Sequence, residues 1–264
     1  MPQILIGTSG YSYKEWVGPV YPEGTKQKDY LATYAGLFPT VELNFTYYQK
    51  PKPENLAKML VDGGPNLTFS IKAHKTLTHE INKNQWEAEA KDYLKAIEPF
   101  LEAKRLEAVL FQFPYSFHYT AENRQYLGDL LEYFKGVPIA VEFRTIDWYI
   151  ERVIDELKNR SVPLVIVDMP DLKGLPSTLD TVTAPLAYIR LHGRNKGAWW
   201  GKDDHARYDY LYTDNEVDAW AARIEKMIKQ AQRILIYFNN HPFGKAARNA
   251  KRLGHILDKM MMKN

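Results

Sequence analysis

LAYIRLH, residues 186–192, is an apolar run of strand length that turns ionisable at its end, where Arg190 and His192 stand two residues apart. A strand half-exposed to water would alternate polar and apolar throughout, so an apolar run that closes on charge reads as a strand buried on both faces. Seven more runs have this form: ILIGTS (4–9), TVELNF (40–45), LTFSIKAH (67–74), EAVLFQF (107–113), IAVEFR (139–144), PLVIVD (163–168) and ILIYFNN (234–240). Helical periods lie between them. Trp86, Ala90, Tyr93, Leu94, Ile97, Phe100 and Leu101 recur at three- and four-residue steps and predict a helix with one apolar stripe. Val217, Trp220, Ile224, Met227, Ile228 and Ala231 form a second stripe, preceded by Thr213 and Glu216 at capping-box spacing. Weaker helical patterns occupy 26–37, 53–61, 121–134, 147–159 and 243–261. Eight strand–helix units of roughly 30 residues predict an α/β chain with a (β/α)8 TIM-barrel-like fold. Residues 169–185 hold three prolines and little helical period, so the sixth helix is expected to be missing or minimal.

No Ser/Gly-rich or Pro-rich linker divides the 264 residues, which predicts one domain over 1–264. Hydrophobic residues at 45% and charged residues at 25% supply a core and exclude disorder. With 35 basic and 32 acidic residues the net charge is +3, too small to argue for a nucleic-acid partner. The absence of cysteine removes disulfides, thiolate metal sites and a cysteine nucleophile. No run approaches the roughly 20 apolar residues that span a bilayer, so no membrane partner is expected and the protein reads as soluble and cytoplasmic. The sequence sets no oligomeric state.

In a parallel barrel the strand-end side chains converge at the C-terminal mouth. Residues two apart share a face at roughly 6 to 7 Å. Glu42 with Asn44, Lys72 with His74, Glu142 with Arg144, and Arg190 with His192 are therefore expected in one mouth, with Gln112, Asp168 and Asn239 completing the ring. Lys72, Arg144 and Arg190 suit a phosphate or carboxylate, which points to a small anionic substrate. Glu142 and Glu42 are the candidate base and acid, with His192 as proton shuttle near neutral pH. Asn44 and Asn239 would bind and polarise the substrate, with Ser9 and His241 at the rim. The set suits a hydrolase, lyase or isomerase without choosing among them, and it requires no cofactor.

Three alternatives use the same residues. A divalent-metal phosphoesterase or isomerase would use Glu142, Asp168 and His192 as ligands, against the repulsion of Arg144 and Arg190. A plug of mutually paired charges, Glu142 with a neighbouring arginine and Glu42 with Lys72, would close the barrel top. A barrel that binds a ligand or nucleic acid without catalysis is the third. A glycosidase pair on strands four and seven is not expected, because those ends carry Gln112 and Arg190 or His192.

TSGYSY (8–13) offers amides and hydroxyls to an oxyanion, or is an ordinary turn. The seventh connection, GRNKGAWWGKDDHARYDYLYTDN (193–215), carries Gly193, Gly197 and Gly201 and five aromatics, Trp199, Trp200, Tyr208, Tyr210 and Tyr212. It reads as a lid over the mouth, or as fixed aromatic cover. Lys245, Arg248, Arg252, His255 and Lys259 form a basic stripe on the last helix, read as a solvated outer face before a nucleic-acid surface.

Several of these blocks resemble a known family. GTSGYSYKEWVGPVYP (7–22), YAGLFPTVELNFTYYQKP (34–51), FSIKAHKTLTH (69–79), LFQFP (110–114), VEFR (141–144) with Trp148, RLHGRN (190–195) and YFNNHPFGKAARNA (237–250) are similar to the signature blocks of the YecE-like family, domain of unknown function 72. The likeness runs nearly end to end. It implies a (β/α)8-like barrel and no particular reaction. This chain has Tyr11 where the family commonly has Trp, and Phe45 where a small hydroxylated residue is common.

Overall fold

The computed structural model describes residues 2–262. In chain order its elements are β1 (Gln3–Ser9), α1 (Tyr30–Ala35), β2 (Thr40–Leu43), α2 (Phe45–Tyr48), α3 (Pro53–Asp62), β3 (Thr68–Lys72), α4 (Trp86–Glu102), β4 (Leu106–Gln112), α5 (Ala121–Tyr133), β5 (Ile139–Glu142), α6 (Glu151–Asn159), β6 (Ile166–Asp168), β7 (Leu186–Leu191), α7 (Asp204–Tyr208), α8 (Asp214–Met227), β8 (Arg233–Phe238) and α9 (Lys245–Met261). All eight expected strands form, and every strand pair is parallel, in the order β5-β4-β3-β2-β1-β8-β7-β6. The first and last strands pair over six residues, Gln3 with Arg233 through Thr8 with Phe238. Between β5 and β6 the sheet closes through the single bridge Val141–Leu164. There Val141 N–H donates to Pro163 O (2.9 Å) and Val165 N–H to Val141 O (2.8 Å). The fold is a (β/α)8 TIM-barrel-like fold with one thin seam.

Alternation along the strands divides the apolar side chains into two sets. Leu5, Ala108, Leu110, Ala140, Val165, Val167, Tyr188, Leu235 and Tyr237 pack inside the barrel. Their neighbours, among them Val41, Phe69, Ile71, Val109, Val141, Ile166, Ile189, Ile234 and Ile236, face the helices. Tyr237 crosses the interior, its hydroxyl 2.7 Å from Thr40 Oγ1 and 3.0 Å from Ser70 Oγ, so the polar atoms of this layer satisfy one another.

The sixth connection carries no helix among the described residues. Instead Met169 and Leu175 turn into the interior cluster. Thr183 accepts from Leu164 N–H (2.7 Å) and donates to Val162 O (2.7 Å), tying the connection to the start of the sixth strand segment. The capping box at Thr213 and Glu216 forms as expected. Helix α8 stops at Met227, short of the apolar stripe, while Ala231 is buried in the turn beyond it. Helices α2 and α7, of four and five residues, were not expected, because neither is long enough to display a period. No helix is long and apolar enough to cross a membrane among the described residues.

Candidate functional site

The C-terminal ends of the strands carry two polar layers. The lower layer is a buried ion network. Arg190 donates through Nη2 to Glu42 Oε1 (2.6 Å) and through Nη1 to Glu142 Oε2 (2.7 Å), joining β2, β5 and β7. Glu42 also accepts from Ser9 Oγ (2.6 Å) and from the Tyr188 hydroxyl (2.6 Å). Glu142 Oε1 accepts from Arg144 Nε (2.5 Å) and lies 3.3 Å from His192 Nε2. Asn239 Nδ2 stands 3.1 Å from His192 Nδ1. Glu42, Glu142 and His192 are fully buried. Burying these charges costs several kcal/mol per ion unless each is paired and hydrogen-bonded, and here the pairs are made.

The network fixes the charge of its members. Burial alone would push the Glu142 carboxyl up, but Arg144, Arg190 and His192 outweigh it and hold it well below the usual range. Burial would likewise strip the proton from Arg190, and Glu142 and Glu42 hold it on. His192 is pushed down to about 3 by burial and by Arg144, so it stays neutral.

Above this layer opens a cavity of about 480 Å³. Of the candidate residues, Asn44, Lys72, Arg144, Arg190, Asn239 and His241 line it. Glu42, Glu142, His192 and Ser9 lie beneath that lining. Lys72, at the end of β3, sits with Nζ 4.1 Å from the centroid of the Tyr47 ring and makes no ion pair among the described residues. Burial, then Arg190 and Arg144, lower its ammonium to about 7. Buried atoms of lining residues without a hydrogen-bond partner among the described residues include Asn44 Oδ1, Arg190 Nε and His241 Nδ1. A wider groove of about 770 Å³ runs between α5 and α6, on the outer surface away from the strand ends.

Two expected members of the ring are elsewhere. Val165 and Val167 point inward, so alternation turns Asp168 to the outer face, where Arg194 Nε donates to Oδ1 (3.1 Å) and Oδ2 (3.0 Å). Glu142, Asp168 and His192 are therefore not brought together, and no cluster of three metal-ligating side chains occurs among the described residues. His74 leaves the strand register and its Nδ1 stands 2.9 Å from Thr76 Oγ1 at the start of a 3-10 turn, away from the mouth. The paired-charge expectation also shifts, since Glu42 is held by Arg190 in place of Lys72.

Strand-end reasoning missed the loop residues of the lining: Tyr13, Tyr47, Tyr48, His79, Tyr115 and Arg207. Tyr13, Tyr47, Tyr48 and His79 stand in the motif blocks quoted above, Tyr13 also in the 8–13 turn, and Arg207 in the seventh connection, whereas Tyr115 carried no signal. Tyr13 stacks on His241 at 4.5 Å and its hydroxyl donates to Ser9 O (2.7 Å). In the 8–13 turn Gly10, at φ +84°, gives its N–H to Glu42 O (2.7 Å), and Thr8 N–H goes to the Tyr34 hydroxyl (2.9 Å), so those amides are spent internally. The seventh connection roofs the cavity with Trp199, Trp200 and Tyr208. Trp199 is buried, 5.8 Å from the Arg144 guanidinium, whereas Trp200 is 56% exposed and meets Tyr115 edge-on. On the basic stripe of α9, Lys245 pairs with Asp209, and Arg252 with Asp214 and Asp218, while Arg248, His255 and Lys259 are exposed.

Comparison with known proteins agrees with this architecture. The chain is 28% identical to UPF0759 protein YunF of Bacillus subtilis (strain 168) over 97% of its own length and 95% of the relative's. A DUF72 family protein from Thermotoga maritima MSB8 superposes with a TM-score of 0.90 at 35% identity, covering 97% of this chain and 99% of that one. Another from Enterococcus faecalis V583 gives 0.87 at 29% identity, covering 97% and 96%. A xylose isomerase domain containing protein from Salmonella typhimurium LT2, at 0.51 and 12% identity over 86% and 92%, shares the barrel fold alone. The family model described as protein of unknown function DUF72 matches residues 5–263, and the chain belongs to that family.

Proposed function

We propose that the barrel mouth takes a small anionic molecule bearing a phosphate or carboxylate and transforms it by acid/base chemistry. The observation that carries this reading is the lining. Lys72, Arg144 and Arg190 face the cavity, and no carboxylate does among the described residues. Glu42 and Glu142 beneath offset two of these charges, which leaves the mouth positive. An oxyanion there would gain charge-assisted hydrogen bonds from the guanidinium and ammonium groups. The unpartnered Arg190 Nε, Asn44 Oδ1 and His241 Nδ1 are contacts that a ligand would complete.

Glu142 is held anionic and His192 neutral, so neither is poised to exchange a proton near pH 7. Lys72 is. Its ammonium and amine forms coexist near neutral pH, inside the cavity, which suits it to proton transfer with a bound substrate. The two glutamates then serve as counter-charges that keep Arg190 and Arg144 in place, with Asn44, Asn239 and Gln112 as neutral contacts. The aromatic roof would exclude water.

A thermal-shift screen against phosphorylated sugars, nucleotides and small carboxylates tests the reading, run in parallel on Arg144→Ala. A ligand at a hundred times its dissociation constant adds about 2.7 kcal/mol. Stabilisation by an anion that is lost in the variant supports the site. Stabilisation that Arg144→Ala leaves undiminished would place the anion elsewhere and defeat the proposal.

A further inference from the structure

We infer that Lys72 is a nucleophile toward carbonyl groups, so that the substrate is an anionic aldehyde or ketone held as an imine during turnover. Four observations converge on this lysine. It stands at the end of β3 with its side chain in the cavity. The carboxylates nearest to it in the barrel, Glu42 and Glu142, favour its ammonium through space, but their oxygens are taken by Arg190, Arg144, Ser9 and Tyr188 and neither pairs with it directly. The cations Arg144 and Arg190 line the same space and oppose a further positive charge. His79 is driven down to about 3 by burial, Lys72 and Arg144, so it stays neutral and leaves the ammonium without a counter-charge. The face of Tyr47 offers the ammonium some compensation, worth about 0.5–2 kcal/mol. The lowering of the amine to about 7 is the net result.

The chemistry closes without a further reactant. The neutral amine attacks the carbonyl carbon, forming a C–N bond as the C=O π pair moves to oxygen. A proton passes from nitrogen to that oxygen, giving a carbinolamine. Its hydroxyl then takes from solvent the proton that the ammonium released on becoming the amine, the C–O bond breaks with loss of water, and the nitrogen lone pair completes the protonated imine, whose single positive charge replaces that of the ammonium. Arg144 lies on the same wall and would hold the substrate's anionic group. The inference rests on the anion-site reading for that last contact alone.

The two parts separate in one experiment. The protein is incubated at pH 7 with glycolaldehyde or with glycolaldehyde phosphate, reduced with cyanoborohydride, and mapped by peptide mass spectrometry. Lys72 is expected to be labelled roughly tenfold or more faster than the other lysines by both reagents, because burial beside Arg144 and Arg190 keeps much of its amine neutral at that pH. The phosphate should add a further enrichment that Arg144→Ala removes. Preferential labelling by both reagents without a phosphate advantage sustains the nucleophile and overturns the anion site. Labelling of Lys72 no faster than that of the surface lysines overturns the nucleophile, whatever the thermal-shift screen returns. Lys72→Arg keeps the positive charge and serves as the folded control, in which the fast label must vanish.

Discussion

Among the described residues Arg190 is the one cation that touches both Glu42 and Glu142, and its removal would strand two negative charges in the barrel at once. Arg190→Met is therefore expected to cost about 3–5 kcal/mol, read as a lower denaturation midpoint, because a buried pair broken from one side leaves an uncompensated ion. Lys72 predicts the opposite sign. Burial and the neighbouring arginines lower its folded-state amine to about 7 from its ordinary value of 10.5, so below pH 7 both folded and unfolded chains carry the proton and the folded chain bears the full cost of the buried charge. That cost fades as pH rises from 7 toward 10.5. Lys72→Met should thus raise the melting temperature at pH 6, with a gain that shrinks at pH 9.5; an equal gain at both would mean an ordinary exposed lysine.

Among the elements, the strands were legible and their faces only partly so. Each apolar run forms a strand or, for 163–165, the bridge beside one, because length and β-branching suffice to mark a doubly buried strand. Which strand-end residues look inward depends on parity, and parity failed where register was guessed from the terminal residue. Val165 and Val167 form the inward pair of β6 and turn Asp168 outward, but the run LVIV is apolar at every position and does not mark which parity faces in. His74 was no more legible, since the chain leaves the strand one residue after Lys72 by a turn that pattern does not reveal. The pairing of Arg190 with both glutamates is a contact across the barrel between β7, β2 and β5, and no local signal encodes it. Glu216 shows what a local signal does encode. Beyond capping α8, it accepts from Arg194 Nη1 (2.9 Å) and the Tyr210 hydroxyl (2.7 Å), binding the seventh connection to the helix that follows. Thr213→Ala should cost about 1 kcal/mol as a lost cap. Glu216→Ala should also speed limited proteolysis within 194–203, where Thr213→Ala should not.

For the molecule as a whole, the barrel is unevenly fastened. Six residue pairs join β1 to β8, but one bridge, at Leu164 just before β6, joins that side of the sheet to β5. Local opening follows the least-bonded backbone, so the amides of Val141 and Val165 should exchange with deuterium sooner than those of Leu235 and Ile236. The Arg190–Glu142 pair runs from β7 over β6 to β5 and so spans that seam. It is a buckle as much as a charge pair: the polar floor of the mouth holds the hoop of strands shut where the backbone barely does. Loss of this tie in Arg190→Met should accelerate exchange at Val141 and Val165 beyond what its global destabilisation accounts for. The residues that floor the site and the residues that close the barrel are then the same, and redesign of one function carries a mechanical consequence for the other.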